Sequence, residues 1–312
     1  MTDDRERTGT LYGAAAYAMW GLFPLYWPLL EPAGPLEILA HRMVWSLVLV
    51  LGILAVSRRL RVLRTLSRRQ VLLLAAAAAV ITVNWGVYIH GVNTGHVVET
   101  SLGYFINPLF TVLLGVLVLR ERLRPLQWVA VGTGAVAVAI LAADYGRLPW
   151  IALVLAASFG TYGLIKKTAG VGAVESLAVE TGVVLLPALG FLVALQLGGA
   201  GTFGSAGLGT HALLVGAGVV TTLPLLCFGA AAIRVPLVTL GLLQYLAPVL
   251  QFGIGVFVRH EPMPPARIAG FAVVWVALTI FTVDSVRAFR RQSRTAAAAV
   301  AEPGTAPQPA PR

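Results

Sequence analysis

Ten long apolar runs lie end to end along the 312 residues, separated by short breaks rich in Pro, Gly and charge. A helix needs about 20 apolar residues to cross a hydrocarbon core about 30 Å thick, so each run predicts one membrane-spanning helix. The limits are 9–30, 36–56, 70–91, 98–119, 126–143, 148–166, 176–196, 210–231, 237–258 and 266–286. Membrane strands would read as alternating segments of about 10 residues, and these runs are continuous. The composition agrees: 58% of residues are hydrophobic, 12% are charged and the mean hydropathy is +0.83, where a soluble domain has about a quarter of its residues charged. A secreted or cytosolic enzyme is excluded. The single cysteine, Cys227, rules out an internal disulfide and a thiolate zinc site, so no metal or cofactor is expected and packing in lipid must hold the chain together. The first run is too long for the apolar part of a cleavable signal and reads as a retained helix.

The net charge of +10 could mark a nucleic-acid partner. The basic residues flank apolar runs, however, which is how a membrane protein fixes its orientation, so the lipid bilayer is the expected partner and nucleic acid is not. With alternate loops on alternate sides, one side receives 18 basic residues, six of them between Arg58 and Arg69, and the other receives three, Arg147, Arg259 and Arg267. The richer side is predicted to be cytoplasmic, with both termini on it. Residues 1–8 then form a cytoplasmic N-terminus, and residues 287–312, with an Ala run and four prolines, a cytoplasmic disordered tail.

The chain is also written twice. At a shift of 138 residues Glu37-Ile-Leu-Ala40 meets Glu175-Ser-Leu-Ala178 and Ser101-Leu-Gly103 meets Thr239-Leu-Gly241; at 139 Trp20-Gly21 meets Phe159-Gly160. At 140, Pro108, Gly115, Glu121 and Pro125 meet Pro248, Gly255, Glu261 and Pro265. The spans divide as five plus five, over residues 9–143 and 148–286. Because five is odd, the second copy must cross in the opposite sense, which predicts an all-α integral membrane protein made of two inverted five-helix repeats, the architecture of transporters. A duplicated membrane domain without transport is the alternative.

A Pro in the middle of the fourth helix of each repeat, with a Glu just after the helix, resembles the EamA domain of the drug/metabolite transporter superfamily. The stretches Trp20-Gly-Leu-Phe-Pro-Leu-Tyr-Trp27, Glu37-Ile-Leu-Ala-His-Arg42, Asn84-Trp-Gly-Val-Tyr88, Gly103-Tyr-Phe-Ile-Asn-Pro108 and Gln244-Tyr-Leu-Ala-Pro-Val-Leu-Gln251 resemble the RarD group of permeases, over residues 10–286. The resemblance implies a ten-helix permease of the bacterial inner membrane, often labelled chloramphenicol-sensitive, and it alone implies export rather than import.

On the fourth helix Ser101, Tyr104, Pro108 and Thr111 share a face, with Asn107 beside them; on the ninth, Gln244, Pro248 and Gln251 share one, with Tyr245 adjacent. Each Pro leaves a backbone carbonyl free one turn earlier, and such a carbonyl is tolerated in lipid only beside protein or a wet cavity. Pro108 and Pro248 are therefore read as kinks lining a pathway, or else as bends that serve packing. Tyr17 and Trp20 on the first helix, and Asn84, Trp85 and Tyr88 on the third, would complete a pocket for a flat or amphipathic solute. Trp27 and Tyr12 read equally well as interfacial anchors.

Ionisable groups within the membrane need a reason. Glu37 and His41 are i,i+4 neighbours, expected to hydrogen-bond at the outer end of the second helix. Arg42 and its repeat equivalent Glu180 each gate one mouth of the cavity, or else Arg42 snorkels outward and Glu180 bonds Lys166 or Lys167. His41 and Glu180 are the candidates for proton coupling. Glu121 and Glu261 read as interfacial charge networks, and Asn93, His96 and Glu99 as an entrance. No phosphate loop, zinc motif or nucleophile elbow occurs. The predicted function is a secondary transporter of small organic metabolites or drugs working by alternating access, with an importer of the same fold or a non-transporting membrane sensor as the other readings. The sequence is compatible with a homodimer.

Overall fold

The computed structural model describes residues 2–120, 123–232, 234–235 and 237–301. Among the described residues there is no strand. The helices are α1 (Thr2–Gly21), α2 (Phe23–Tyr26), α3 (Pro35–Val56), α4 (Arg68–Asn93), α5 (Val97–Leu119), α6 (Pro125–Tyr145), α7 (Trp150–Ala169), α8 (Ala173–Leu197), α9 (Leu208–Ala232), α10 (Leu237–Leu243), α11 (Leu246–Gly253) and α12 (Pro265–Ala301). Short 3-10 turns at Trp27–Leu30 and Leu60–Thr65 and a π-helical stretch at Ile254–Val258 complete the order. Local chemistry fixes the ends. Proline opens α3 and α6, where its missing N–H costs nothing. Ser67 and Gln70 form a reciprocal cap on α4, and Gly146 and Gly170 close α6 and α7 at a φ of +63°.

Eight of these helical spans are long and apolar enough to cross a membrane, that of the ninth run (Thr239–Val258) being assembled from α10, α11 and the π stretch. The apolar part of α7, Trp150–Lys166, is shorter. The first run is interrupted: α1 ends at Gly21, and Pro24 and Pro28 divide the remainder of that run into α2 and the Trp27–Leu30 turn. α1 also begins at Thr2, so most of the expected N-terminal segment 1–8 is helical. A second correction concerns the tail. Residues 287–301 continue α12 as helix rather than forming a disordered segment, because the alanine run that reads as low complexity is also the best helix-forming composition. Residues 302–312 lie outside the described residues, as do Glu121 and Arg122.

The helices pair in a pattern that mirrors itself between the halves: α1 packs on α9 as α4 packs on α7, α3 on α9 as α4 on α8, and α1 on α11 as α5 on α7. Three corresponding pairs also meet, α3 with α8, α5 with α11, and α6 with α12. Contacts at the helix ends give two of these a direction. Arg124, preceding α6, bonds Asp284 just past the middle of α12 (2.6 Å), and Arg267 at the start of α12 bonds Asp144 at the end of α6 (2.8 Å), so α6 and α12 run antiparallel. Glu37 at the start of α3 binds Thr202 beyond the end of α8, and Glu175 at the start of α8 binds Arg59 beyond the end of α3 (2.6 Å), which makes α3 and α8 antiparallel too. Two large apolar clusters, one centred on α3, α4 and the Phe23–Leu30 stretch and one on α5, α6 and α12, fill the spaces between.

Candidate substrate pathway

A polar and aromatic cluster lies between α3, α4, α5, α7 and α9. Asn84, fully buried, donates from Nδ2 to the Ser158 hydroxyl (2.9 Å) and the Leu155 carbonyl (3.1 Å), while its Oδ1 accepts from the Tyr104 hydroxyl (3.2 Å). The Tyr88 and Tyr104 rings meet edge to face at 5.7 Å, and Tyr104 meets Phe159 at 5.9 Å. Arg42 enters from α3. Its guanidinium carbon sits 3.8 Å from the centroid of the Trp85 ring, 5.2 Å from Trp27 and 5.7 Å from Phe23, and Nε donates to the Thr221 hydroxyl at 2.6 Å. Arg42 is 2% exposed. It therefore does not snorkel: the side chain is held sideways among aromatic faces on which a guanidinium gains about 2 kcal/mol or more when desolvated. Five predicted residues, Arg42, Asn84, Trp85, Tyr88 and Tyr104, are brought together here.

A second group lies between α1, α9 and α11. The rings of Tyr17, Trp20 and Phe228 pack within 6.0 Å of one another, and Gln251 donates to the Trp20 carbonyl at 3.1 Å. Gln251 Oε1 and Asn107 Oδ1 are buried without hydrogen-bond partners. The span containing Pro248 breaks at Gln244–Tyr245, one turn before the proline, whereas α5 runs through Pro108 without a break. The equivalent prolines thus differ in effect.

Other predicted residues are placed elsewhere. Tyr245 packs against the α5–α6–α12 cluster with Phe252 rather than against Tyr104. Ser101 is buried, but its hydroxyl bonds the Val98 carbonyl of its own helix. Thr111 is exposed and borders Gly160. Glu37 and His41 do not hydrogen-bond each other. Glu37 instead accepts from the Thr202 backbone (2.7 Å), the Thr202 hydroxyl (2.8 Å) and the Phe203 backbone, since amides of a tight loop satisfy a buried carboxylate better than one imidazole does. His41 Nδ1 accepts from Trp45, its ring packs 4.8 Å from Phe203, and Nε2 has no partner. Both residues line a cavity of about 230 Å³ beside Leu192 and Gln196. Glu180 is held by Lys166 (2.7 Å), Tyr162 (3.0 Å) and Ser176 (2.6 Å), as the Lys166 alternative anticipates.

Another cavity, of about 280 Å³, is lined by His96, Glu99, Arg147, Glu261 and Arg267. Glu99 pairs with Arg147 (2.7 Å) and accepts from the first turn of α7 at Ile151, while Glu261 accepts from the Val97 and Val98 amides that open α5. Anions at helix N-termini are favourable sites. Burial pushes the Glu261 carboxyl above its ordinary range against the opposing pull of those two amides and of Arg259 and Arg267. Phe23 and Thr221 are contributors that the sequence does not single out; Trp27, which the sequence offers as a pocket residue or an interfacial anchor, is fully buried against Arg42.

A model of the EamA-like transporter family matches residues 7–143. The protein RarD of Streptomyces exfoliatus is 59% identical over 300 residues, covering 95% of each chain. An uncharacterized transporter of Bacillus subtilis, YojE, is 45% identical over 95% of this chain and 100% of its own. A solved crystal structure at 19% identity shares the fold, with a TM-score of 0.58 over 90% of this chain and 98% of that one. With these relatives and these apolar helices, the chain belongs to the RarD group of the EamA-like transporter family, and is a multi-pass all-α membrane transporter rather than an enzyme.

Proposed function

We propose that the chain carries small organic solutes across the bacterial cytoplasmic membrane by alternating access, with ten spans arranged as two inverted five-helix repeats and both termini cytoplasmic. The observation that carries this reading is the cluster of Asn84, Tyr88, Trp85, Tyr104 and Arg42 on the first repeat, completed by Ser158 and Thr221 from the second. A site built from both halves changes when the halves rock against each other, which is what alternating access requires. The mirrored pairing of helices, the antiparallel runs of α3 against α8 and α6 against α12, and the one-sided distribution of basic residues support the inverted arrangement. The Tyr17–Trp20–Gln251 group extends the pathway. Export rests on the family resemblance.

The test is solute release from liposomes containing only this chain, loaded with a total extract of bacterial metabolites and monitored by mass spectrometry. A defined subset of solutes, chloramphenicol being one added probe, is expected to leave faster than from protein-free liposomes. No excess release of any solute, with a stably co-purifying membrane partner, would instead favour a sensor or assembly role. His41 or Glu180 is proposed to couple flux to protons; flux unchanged when the pH gradient is collapsed would remove that part.

A further inference from the structure

Among the described residues the buried carboxylates have cationic or amide partners: Glu37 has the Thr202–Phe203 amides, Glu99 has Arg147, Glu175 has Arg59, Glu180 has Lys166 and Asp284 has Arg124. Arg42 has no such complement. Among the described residues no carboxylate lies within 4.0 Å of it, and although Nε is satisfied by Thr221, Nη1 is buried without a hydrogen-bond partner. A guanidinium taken out of water without a counter-charge costs several kcal/mol, and the aromatic faces around it offer its free N–H no hydrogen-bond acceptor. Its neighbours share the deficit. The Trp27 indole nitrogen and the Tyr88 hydroxyl are likewise buried without partners; Trp27 faces the guanidinium, and Tyr88 packs in the same cluster as Trp27 and Trp85, edge to face on Tyr104. An indole N–H and a guanidinium can only donate. The three unmatched groups are thus two obligate donors, one of them positively charged, and a phenol that can donate alongside them, and what they lack is an acceptor bearing negative charge.

We infer that Arg42, with Tyr88 and Trp27 beside it, is the recognition point for an organic carboxylate with an apolar or aromatic body, the anion supplying the acceptors and Trp85 and Phe23 the apolar wall. The inference deepens the transport reading, since it gives the carried solute a charge, and places the anion about 10 Å from the start of α3 by helical rise. A carboxylate fits the fork of a guanidinium through two parallel hydrogen bonds, which a neutral amide of the same shape cannot form.

The experiment uses the full chain in detergent and a panel of acid–amide pairs: benzoate with benzamide, 3-phenylpropionate with 3-phenylpropionamide, and indole-3-acetate with indole-3-acetamide. Binding is read by tryptophan fluorescence and thermal shift. At least one acid is expected to bind about tenfold tighter than its amide, with that preference abolished in Arg42→Gln and retained at lower affinity in Arg42→Lys. Equal binding of acids and amides, a preference that survives in Arg42→Gln, or no binding by any member would overturn the inference. The acid–amide comparison on the unaltered chain needs no variant, so a misfolded Arg42→Gln leaves it decisive. Arg42-dependent acid binding without solute release from vesicles would sink the transport reading alone; release confined to neutral or cationic solutes would sink the anion site alone.

Discussion

Tyr88 is 2% exposed and its hydroxyl bonds nothing, so the hydroxyl weakens the fold by about 1–3 kcal/mol relative to a matched apolar group. Tyr88→Phe is expected to melt at the same temperature as the unaltered chain or higher, while solute release falls several-fold; a stability loss with normal release would show the hydroxyl to be structural. Glu261 gives a prediction of pH dependence. Its folded-state pKa is raised by burial, so folding binds its proton more tightly than the unfolded chain does, and its contribution is largest below the ordinary carboxylate range and is lost as pH rises. Relative to Glu261→Gln, the unaltered chain should therefore gain melting temperature on going from about pH 7 to about pH 5, and a relative loss would contradict the assignment. At this scale the sequence makes Arg42, Asn84, Trp85, Tyr88 and Tyr104 legible, because polar and aromatic groups in apolar runs need partners. It hides the partners themselves: the donors to Glu37 at Thr202 and Phe203 lie 165 and 166 residues away, and no local pattern announces them over His41, one helical turn off.

Helices approach one another closely at small residues, and two glycines mark where the neighbour is backbone. A Cβ on Gly218 would lie 2.5 Å from the backbone carbonyl carbon of Trp45, and one on Gly103 2.8 Å from the Ala152 carbonyl oxygen. Backbone cannot swing aside as a side-chain tip can, so Gly218→Ala and Gly103→Ala should each cost about 1–3 kcal/mol of stability by parting α3 from α9 and α5 from α7. Gly132, in α6, has open space around its missing Cβ, and Gly132→Ala should be neutral or stabilise by up to about 1 kcal/mol. Thermal melting of the three variants in one detergent checks the contrast; equal effects would show that close approach is not what sets these positions. Element limits were readable within a few residues because the length of an apolar run is imposed by the bilayer. The exceptions have local causes: charged residues before residue 9 extend α1, prolines split the end of the first run, and the alanine-rich segment after residue 293 carries helix propensity that its low complexity disguises.

For the whole molecule, the repeat visible as a shift of about 138–140 residues has its counterpart in the mirrored helix pairing, and the strongest single instance is an exchanged pair of contacts. Glu37 of the first repeat holds the loop after α8, and its equivalent Glu175 of the second holds the loop after α3. If the halves are inverted, these two loops face opposite sides of the membrane. The most direct measurement is labelling of single cysteines with a membrane-impermeant thiol reagent in a Cys227→Ala background, one at Arg61 in the first loop and one at Gly207 in the other, both exposed. Arg61→Cys should react only from the cytoplasmic side and Gly207→Cys only from the outside; reaction of both from the same side would contradict the account.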